Sequence, residues 1–279
     1  MPPLIAGQVT YTNYFEYQPQ YQAYSDGATK RRWIYIPQGM KINTQDPDNW
    51  VFPKGTVIFK EFSVGGVKIE TRQIEKITTA NGPNAWRFSN FAWTTDQSDA
   101  DLVTNSFYAN TVDLPKYSAN SVQSQFKISL PTGCVACHAG ATDVVNGFNY
   151  LQLSSNAIAF NVNQAGAAGL FTNPPTVFDS IQGTALDQQA IGYIQTNCAI
   201  CHGPNGPGTG NFRHTSLSTS ISNENVILTG ASLGLIVHGS PSTSILYMKF
   251  SSGQMPKVMP ITQDAAGVAL MSQWISALK

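Results

Sequence analysis

The sequence predicts an α+β chain, with an N-terminal antiparallel β-sheet domain followed by a C-terminal all-α domain. Three observations predict it. Residues 33–94 carry β-branched and alternating runs broken by turn signals, and residues 186–278 hold two apolar stripes at helical spacing. Each half also holds one Cys-x-x-Cys-His motif: Cys134-Val-Ala-Cys137-His138 and Cys198-Ala-Ile-Cys201-His202. A length of 279 residues favours two domains over one, read as 1–152, a crossover at 153–176, and 177–279.

The first segment carries Tyr11, Tyr14, Phe15, Tyr17, Tyr21 and Tyr24 among polar residues. It reads as an arm packed on its own domain, with a partner or self-assembly surface as the alternative, because aromatics anchor interfaces. Thr56-Val-Ile-Phe-Lys-Glu-Phe62 follows the turn signal Pro53-Lys54-Gly55 and reads as a strand. Val67, Ile69 and Thr71 alternate with Lys68, Glu70 and Arg72, as a half-buried strand requires. Asn81-Gly82-Pro83-Asn84 breaks the run before Trp86-Arg-Phe-Ser-Asn-Phe-Ala-Trp93 resumes it, which makes a hairpin. A short helix is expected to start between Asp96 and Asp101. A loop with Pro115 and the run Phe126-Lys-Ile-Ser-Leu130 then lead to the first motif.

Residues 154–176 show no period and read as a linker or irregular crossover. Leu186, Ala190, Tyr193 and Ile194 form a helical stripe running into Cys198. Val268, Met271, Trp274, Ile275 and Leu278 form a second stripe, with an N-cap at Thr262 or Asp264. Gly192 is expected to let the Trp274 helix cross the first one closely.

The two motifs hold all four cysteines and two of the four histidines. Cys-x-x-Cys-His is the attachment signature of haem c: two thiols form thioethers to one porphyrin, and the adjacent histidine binds its iron. A four-cysteine zinc site uses pairs about 15–20 residues apart and needs no histidine after them, whereas Cys137 and Cys198 are about 60 apart. A disulfide framework suits much shorter chains, and a thioredoxin-like pair needs a βαβ context. The expected cofactors are therefore two covalently attached haem c groups, on Cys134 and Cys137 and on Cys198 and Cys201. His138 and His202 are the expected proximal iron ligands.

Lys and Arg number 16, Asp and Glu 16, and only 11% of residues are charged. No nucleic-acid or anionic-membrane partner is indicated, and no apolar run approaches a membrane span. Met1-Pro2-Pro3-Leu4-Ile5 lacks a charged n-region and a long apolar stretch, so no signal peptide is read. Covalent haem attachment takes place outside the cytoplasm. The expectation is a periplasmic, cell-surface or extracellular protein whose export signal lies outside this sequence.

The last third resembles a class I cytochrome c, on Cys198-Ala-Ile-Cys201-His202-Gly203, Ser244-Ile-Leu-Tyr247, Gln254-Met255-Pro256 and Asp264-Ala-Ala-Gly-Val-Ala-Leu270 with Trp274-Ile275. That resemblance implies a distal methionine on the Met-Pro loop. Met255 is the choice, on its spacing from the helix start, and Met259 is the second; Met248 reads as a core residue. The first half is similar to the β-sheet haem family of cytochrome c′-β and the hydroxylamine-oxidising lysine-crosslinked cytochromes. The matching residues are Phe52-Pro53-Lys54-Gly55-Thr56-Val57-Ile58, Lys60-Glu61, Cys134-Val-Ala-Cys137-His138-Ala139 and Thr142-Asp143. The whole chain also resembles dihaem cytochromes carrying Arg31-Arg32-Trp33, Ile69-Glu70-Thr71-Arg72 and Asp96-Gln97-Ser98-Asp99-Ala100.

The distal side of the first haem stays open at this point. In the c′-β relatives apolar side chains close it and leave iron five-coordinate; in the crosslinked relatives a lysine bonds the porphyrin edge. Lys60 and Lys54 are the lysines in reach of that part, a solvated surface lysine being the simpler reading. Of the spare histidines His214 and His238, His238 is the better candidate for a distal ligand, to the second haem or to a neighbouring chain's haem. Met40 is a weaker candidate for the first haem.

The expected function is a dihaem relay of single electrons between extracytoplasmic redox partners, a redox protein or an extracellular acceptor. That makes it an electron carrier more than an enzyme, since no acid/base cluster stands out. One alternative is a haem enzyme or small-gas-binding protein at the first haem, with the second haem as electron partner. Another is a self-assembling subunit of an extracellular electron-conducting haem filament.

Overall fold

The computed structural model describes residues 14–104, 111–113, 125–128, 131–203, 205–209, 212, 235–256 and 262–279. Its first half is a six-stranded antiparallel meander in chain order. The strands are β1 (Tyr14–Tyr17), β2 (Thr29–Tyr35), β3 (Val57–Val64), β4 (Val67–Lys76), β5 (Trp86–Trp93) and β6 (Ala100–Leu102). β3 and β4 join through Gly65 and Gly66, with φ of 58° and 82°. Two left-handed residues match the twist of a two-residue hairpin, and glycine adopts them without strain. Two short strands, β7 (Thr111–Asp113) and β8 (Gln125–Lys127), form a separate pair.

The expected helix between Asp96 and Asp101 is a turn followed by β6. The Asp96 side chain accepts from Ser98 N, and Gln97 takes φ of 62° while its amide pairs with both backbone groups of Lys68. Local side-chain bonds of this kind compete with helix formation.

One face of the sheet carries Ile34, Ile58 and Ile74 in adjacent positions, packed under Trp50, Phe52, Phe148 and Phe171. The segment 153–176 belongs to this core. Within it α3 (Val162–Ala167) starts at a reciprocal Asn161–Gln164 capping box, and Val162, Ala165, Leu170 and Phe171 are buried against the sheet. Ile42 N donates to Leu170 O at 2.8 Å, and Thr172 N donates to Ile42 O. This irregular crossover thus packs on the sheet through Val162, Ala165, Leu170 and Phe171.

α1 (Pro131–His138) and α2 (Tyr150–Leu153) flank the core, and the helical region follows with α4 (Ala185–Asn197), α5 (Ile245–Ser251) and α6 (Ala265–Ala277). Thr184 and Asp187 cap α4 reciprocally, and Asp264 caps α6 by accepting from Gly267 N at 3.0 Å. α4 and α6 pack Ala190, Ile191 and Ile194 with Met271, Trp274 and Ile275, all buried. Two hydrogen bonds fix the crossing: Trp274 Nε1 to Asp187 Oδ1 and Tyr193 OH to Asp264 Oδ2, both 2.9 Å.

The close-approach glycine of that crossing is Gly267, which faces Tyr193; Gly192 instead accepts the ring of Tyr21 from the N-terminal arm. The described part of the arm packs on its own chain. Phe15 stacks on Phe160, Tyr17 meets Phe148 edge-on, and Asp26 accepts from Thr262 N at 2.8 Å. The arm thereby touches both halves. Among the described residues no helix is long and apolar enough to cross a membrane.

Candidate functional site

Each Cys-x-x-Cys-His motif forms one helical turn. The first closes α1. The second extends α4: Cys198 N donates to Ile194 O at 2.8 Å, and His202 N donates to Cys198 O at 2.9 Å. Residues three and four apart on a helix share a face, so both thiols and the imidazole of each motif lie on one side.

In both motifs a backbone carbonyl orients the imidazole. His138 Nδ1 pairs with Val144 O at 2.6 Å, and His202 Nδ1 pairs with Thr209 O at 2.7 Å. A donating Nδ1–H fixes the tautomer that leaves Nε2 bare, which is the form that ligates a metal. Phe88 meets the His138 ring edge-on at 5.6 Å, and Phe212 stacks on His202 at 5.0 Å. Around His202 the loop needs glycine: a β-carbon at Gly208 would fall 2.6 Å from Nδ1.

Val144 carries a φ of 54° and is fully buried. A β-branched residue in that region costs about 1–2 kcal/mol, so its neighbours must hold it. Asp143 does this. Its carboxylate, 2% exposed, accepts from Phe52 N at 2.7 Å, Trp86 Nε1 at 2.8 Å and Lys76 Nζ at 2.5 Å. Three donors from the sheet domain therefore anchor the residue preceding the carbonyl that orients His138. In the sequence Asp143 stands out only as part of Thr142-Asp143; its burial and its three donors are tertiary facts.

Burial pushes the His138 pKa down to about 4, with Lys60 and Arg72 adding to the effect against the Val144 carbonyl. The ring stays neutral where an unfolded one, near 6.5, already takes a proton. With no iron on the ring, stability should therefore fall as pH drops from about 6.5 to 4, by roughly 3 kcal/mol. Urea melts of a variant with all four cysteines replaced by serine check this, and a flat profile across that window refutes it.

The two motifs pack directly on each other. A β-carbon at Gly140, two residues past His138, would collide with the Ile200 carbonyl inside the second motif, and Gly203 sits 3.6 Å from the Gly140 carbonyl in the same sense. The Cys201 thiol bonds the Cys137 sulfur, lowering Cys137 to about 7 and raising Cys201. Burial raises Cys134 and pushes Cys198 up to about 12. No disulfide joins the four cysteines, and among the described residues no group of three or more His, Cys, Asp or Glu is placed to hold a bare metal ion. Gly140→Ala is expected to cost about 1–3 kcal/mol through overpacking of this contact, read as a lower melting temperature. Wild-type stability in that variant would mean the motifs do not press together.

Met255 is half-buried after α5, its N–H donating to Lys249 O at 3.1 Å. Met259 and His214 lie outside the described residues. His238 is exposed, with Nδ1 paired to Lys279 O at 2.7 Å, which turns a bare Nε2 to the surface. Met40 is 50% exposed and Lys54 is exposed. Lys60 departs from the surface reading. It is half-buried, 4.9 Å from the Phe62 ring, and burial with Arg32, Arg72 and Lys30 holds its pKa well below the usual lysine value. A cavity of about 90 Å³, open to the surface and lined by residues including Asn49, Trp50, Gly140 and Ile200, has room for water.

No family model, curated protein or solved structure matches the chain.

Proposed function

We propose that this chain is a dihaem c-type cytochrome that relays single electrons between extracytoplasmic redox partners. The observation that carries the reading is the direct packing of two Cys-x-x-Cys-His turns, each with a histidine whose Nδ1 is held by a backbone carbonyl. The donor set fits covalent haem c: two thiols and one bare imidazole nitrogen on one face of a turn, twice over. Haem, when bound, supplies the one-electron iron couple. The protein's own part is to hold two attachment turns side by side and to fix both histidine tautomers. It also surrounds the first with a buried sheet face and the second with the α4–α6 pair.

In this reading the helical region is a class I cytochrome c-like domain, and Met255 is the distal ligand of the second haem. Met255→Ala should lower that haem's potential, because methionine raises it; an unchanged potential would point to Met259 or to no methionine at all. The protein acts in the periplasm, at the cell surface or outside the cell, where haem attachment and electron acceptors are found.

The test is expression together with a covalent haem-attachment system, followed by intact mass and potentiometry. Chain mass plus two haems, each reduced reversibly, is the expected result. Unmodified mass under conditions that load a control cytochrome c would refute the proposal. One observation favours a second role at the first haem: Lys60, Arg72 and Asn90 form a cross-strand row whose Asn90 Oδ1 lies 3.8 Å from Cys134 Sγ, so polar as well as apolar groups border that motif. A high-spin, five-coordinate signal in electron paramagnetic resonance would support a gas-binding or catalytic role there; two low-spin haems would remove it.

A further inference from the structure

Tyr17, Arg32, Lys60, Arg72 and Asn90 are successive cross-strand partners, forming one row across β1 to β5. Three adjacent members are cations. Like charges directly opposite on neighbouring strands destabilise a sheet, and burial raises that cost. The flanking row on one side is Ile34, Ile58, Ile74 and Phe88; on the other, Phe62 and Ala92 flank Glu70. The cations therefore lie between an apolar row and a mixed row in which Lys30 and Glu70 alternate with Phe62 and Ala92.

Their internal partners are too few. Glu70 meets Arg72 as a fork at 2.8 and 2.9 Å, and reaches Lys60 only as a neighbouring charge without an ion pair. Arg32 is 4% exposed and, among the described residues, its side chain donates only to the Gln22 side-chain oxygen, at 3.2 Å. Among the described residues neither Arg32 nor Lys60 forms an ion pair. Lys30, one row further, donates to Ala23 O and lies near Asp26 and Asp264. A buried guanidinium without a counter-charge is expensive, by several kcal/mol. The row also adjoins the first motif: Cys134 Sγ lies 3.8 Å from Asn90 Oδ1 at its end.

We infer that Arg32 and Lys60 form an anion seat in the row that ends at the first motif, built for a carboxylate or small oxyanion. A planar guanidinium and an ammonium side by side are the usual donors for such a group. Only the anion's source rests on the dihaem reading: it is either a carboxylate of the first porphyrin or a diffusible anion of the same chemistry.

The test compares wild type with Arg32→Gln, Lys60→Gln and Lys60→Arg, and with Lys54→Gln as a control for losing one surface charge. Intact mass is taken first, so haem content is known independently. A porphyrin carboxylate predicts a first-haem potential that is flat from about pH 6 to 8 in wild type and Lys60→Arg. In Arg32→Gln and Lys60→Gln it becomes pH-dependent, falling as pH rises, because a carboxylate stripped of cations titrates higher. A diffusible anion predicts instead a saturable change of the first-haem spectrum with formate, present in wild type and lost in the two glutamine variants. Either result supports the seat and names its source. Flat potentials and no formate response throughout would overturn it. A chain without haem refutes the dihaem reading alone. The seat is then read from melting temperature, which formate must raise in wild type but not in Arg32→Gln or Lys60→Gln; no rise overturns it too.

Discussion

Asp143→Ala is expected to destabilise the protein by about 3–5 kcal/mol, the range for breaking a buried ion pair from one side. The substitution leaves Lys76, 1% exposed, with only Asn81 Oδ1 at 3.4 Å, and removes the side-chain acceptor of Trp86 Nε1 and Phe52 N. It also releases Val144 from its left-handed conformation, so the carbonyl that orients His138 is no longer held. Two readouts should move together: the denaturant midpoint and the spectrum of the first haem. Asp143→Ala with Lys76→Met should recover part of the stability, since the orphaned ammonium is gone, but not the spectrum. A loss below about 1 kcal/mol would show that the network is not what anchors this loop.

If two haems attach as proposed, replacing Cys134 and Cys137 by alanine should leave one of them, and replacing Cys198 and Cys201 should leave the other. Intact mass should fall by one porphyrin in each case, with one of two potentials lost. The remaining potential should also shift, because the two turns touch at Gly140 and Ile200 and at the Cys137–Cys201 sulfurs. Full retention of two haems in either double variant would disprove attachment at that motif. An unmoved second potential would show that the two sites ignore each other despite their contact.

Much of the architecture is legible in local pattern. The alternation in β4 and the aromatic run of β5 mark strands, and the stripe ending at Leu278 marks α6 with Asp264 as its cap. What local pattern does not carry is pairing across the chain. Gly192 looks like a helix-crossing residue because glycine thins a helix, yet the partner it admits is Tyr21, distant in sequence. Lys60 looks exposed because lysine usually is; its burial follows only from the register that sets it between Arg32 and Arg72. The 153–176 segment lacks a period because its apolar residues serve irregular contacts with the sheet, not one face of a long element. The motifs themselves are plain in the sequence. Their mutual contact is a tertiary fact that no spacing encodes.

The arm from β1 to Asp26 bears on how the chain reaches this fold. Asp26 holds Thr262, 236 positions away, and Tyr24 takes Asn197 and Thr262. Such bonds close very long loops, and their entropy must be met before they return anything. The meander, β1 included, can pair as soon as it emerges, but the Tyr24–Asp26 end of the arm cannot dock until the segment entering α6 exists. It is expected to lock last in folding, contributing little to the rate of assembly and much to the slowness of unfolding. Asp26→Ala, which removes the Thr262 contact and spares β1, should therefore speed unfolding severalfold while leaving the refolding rate almost unchanged.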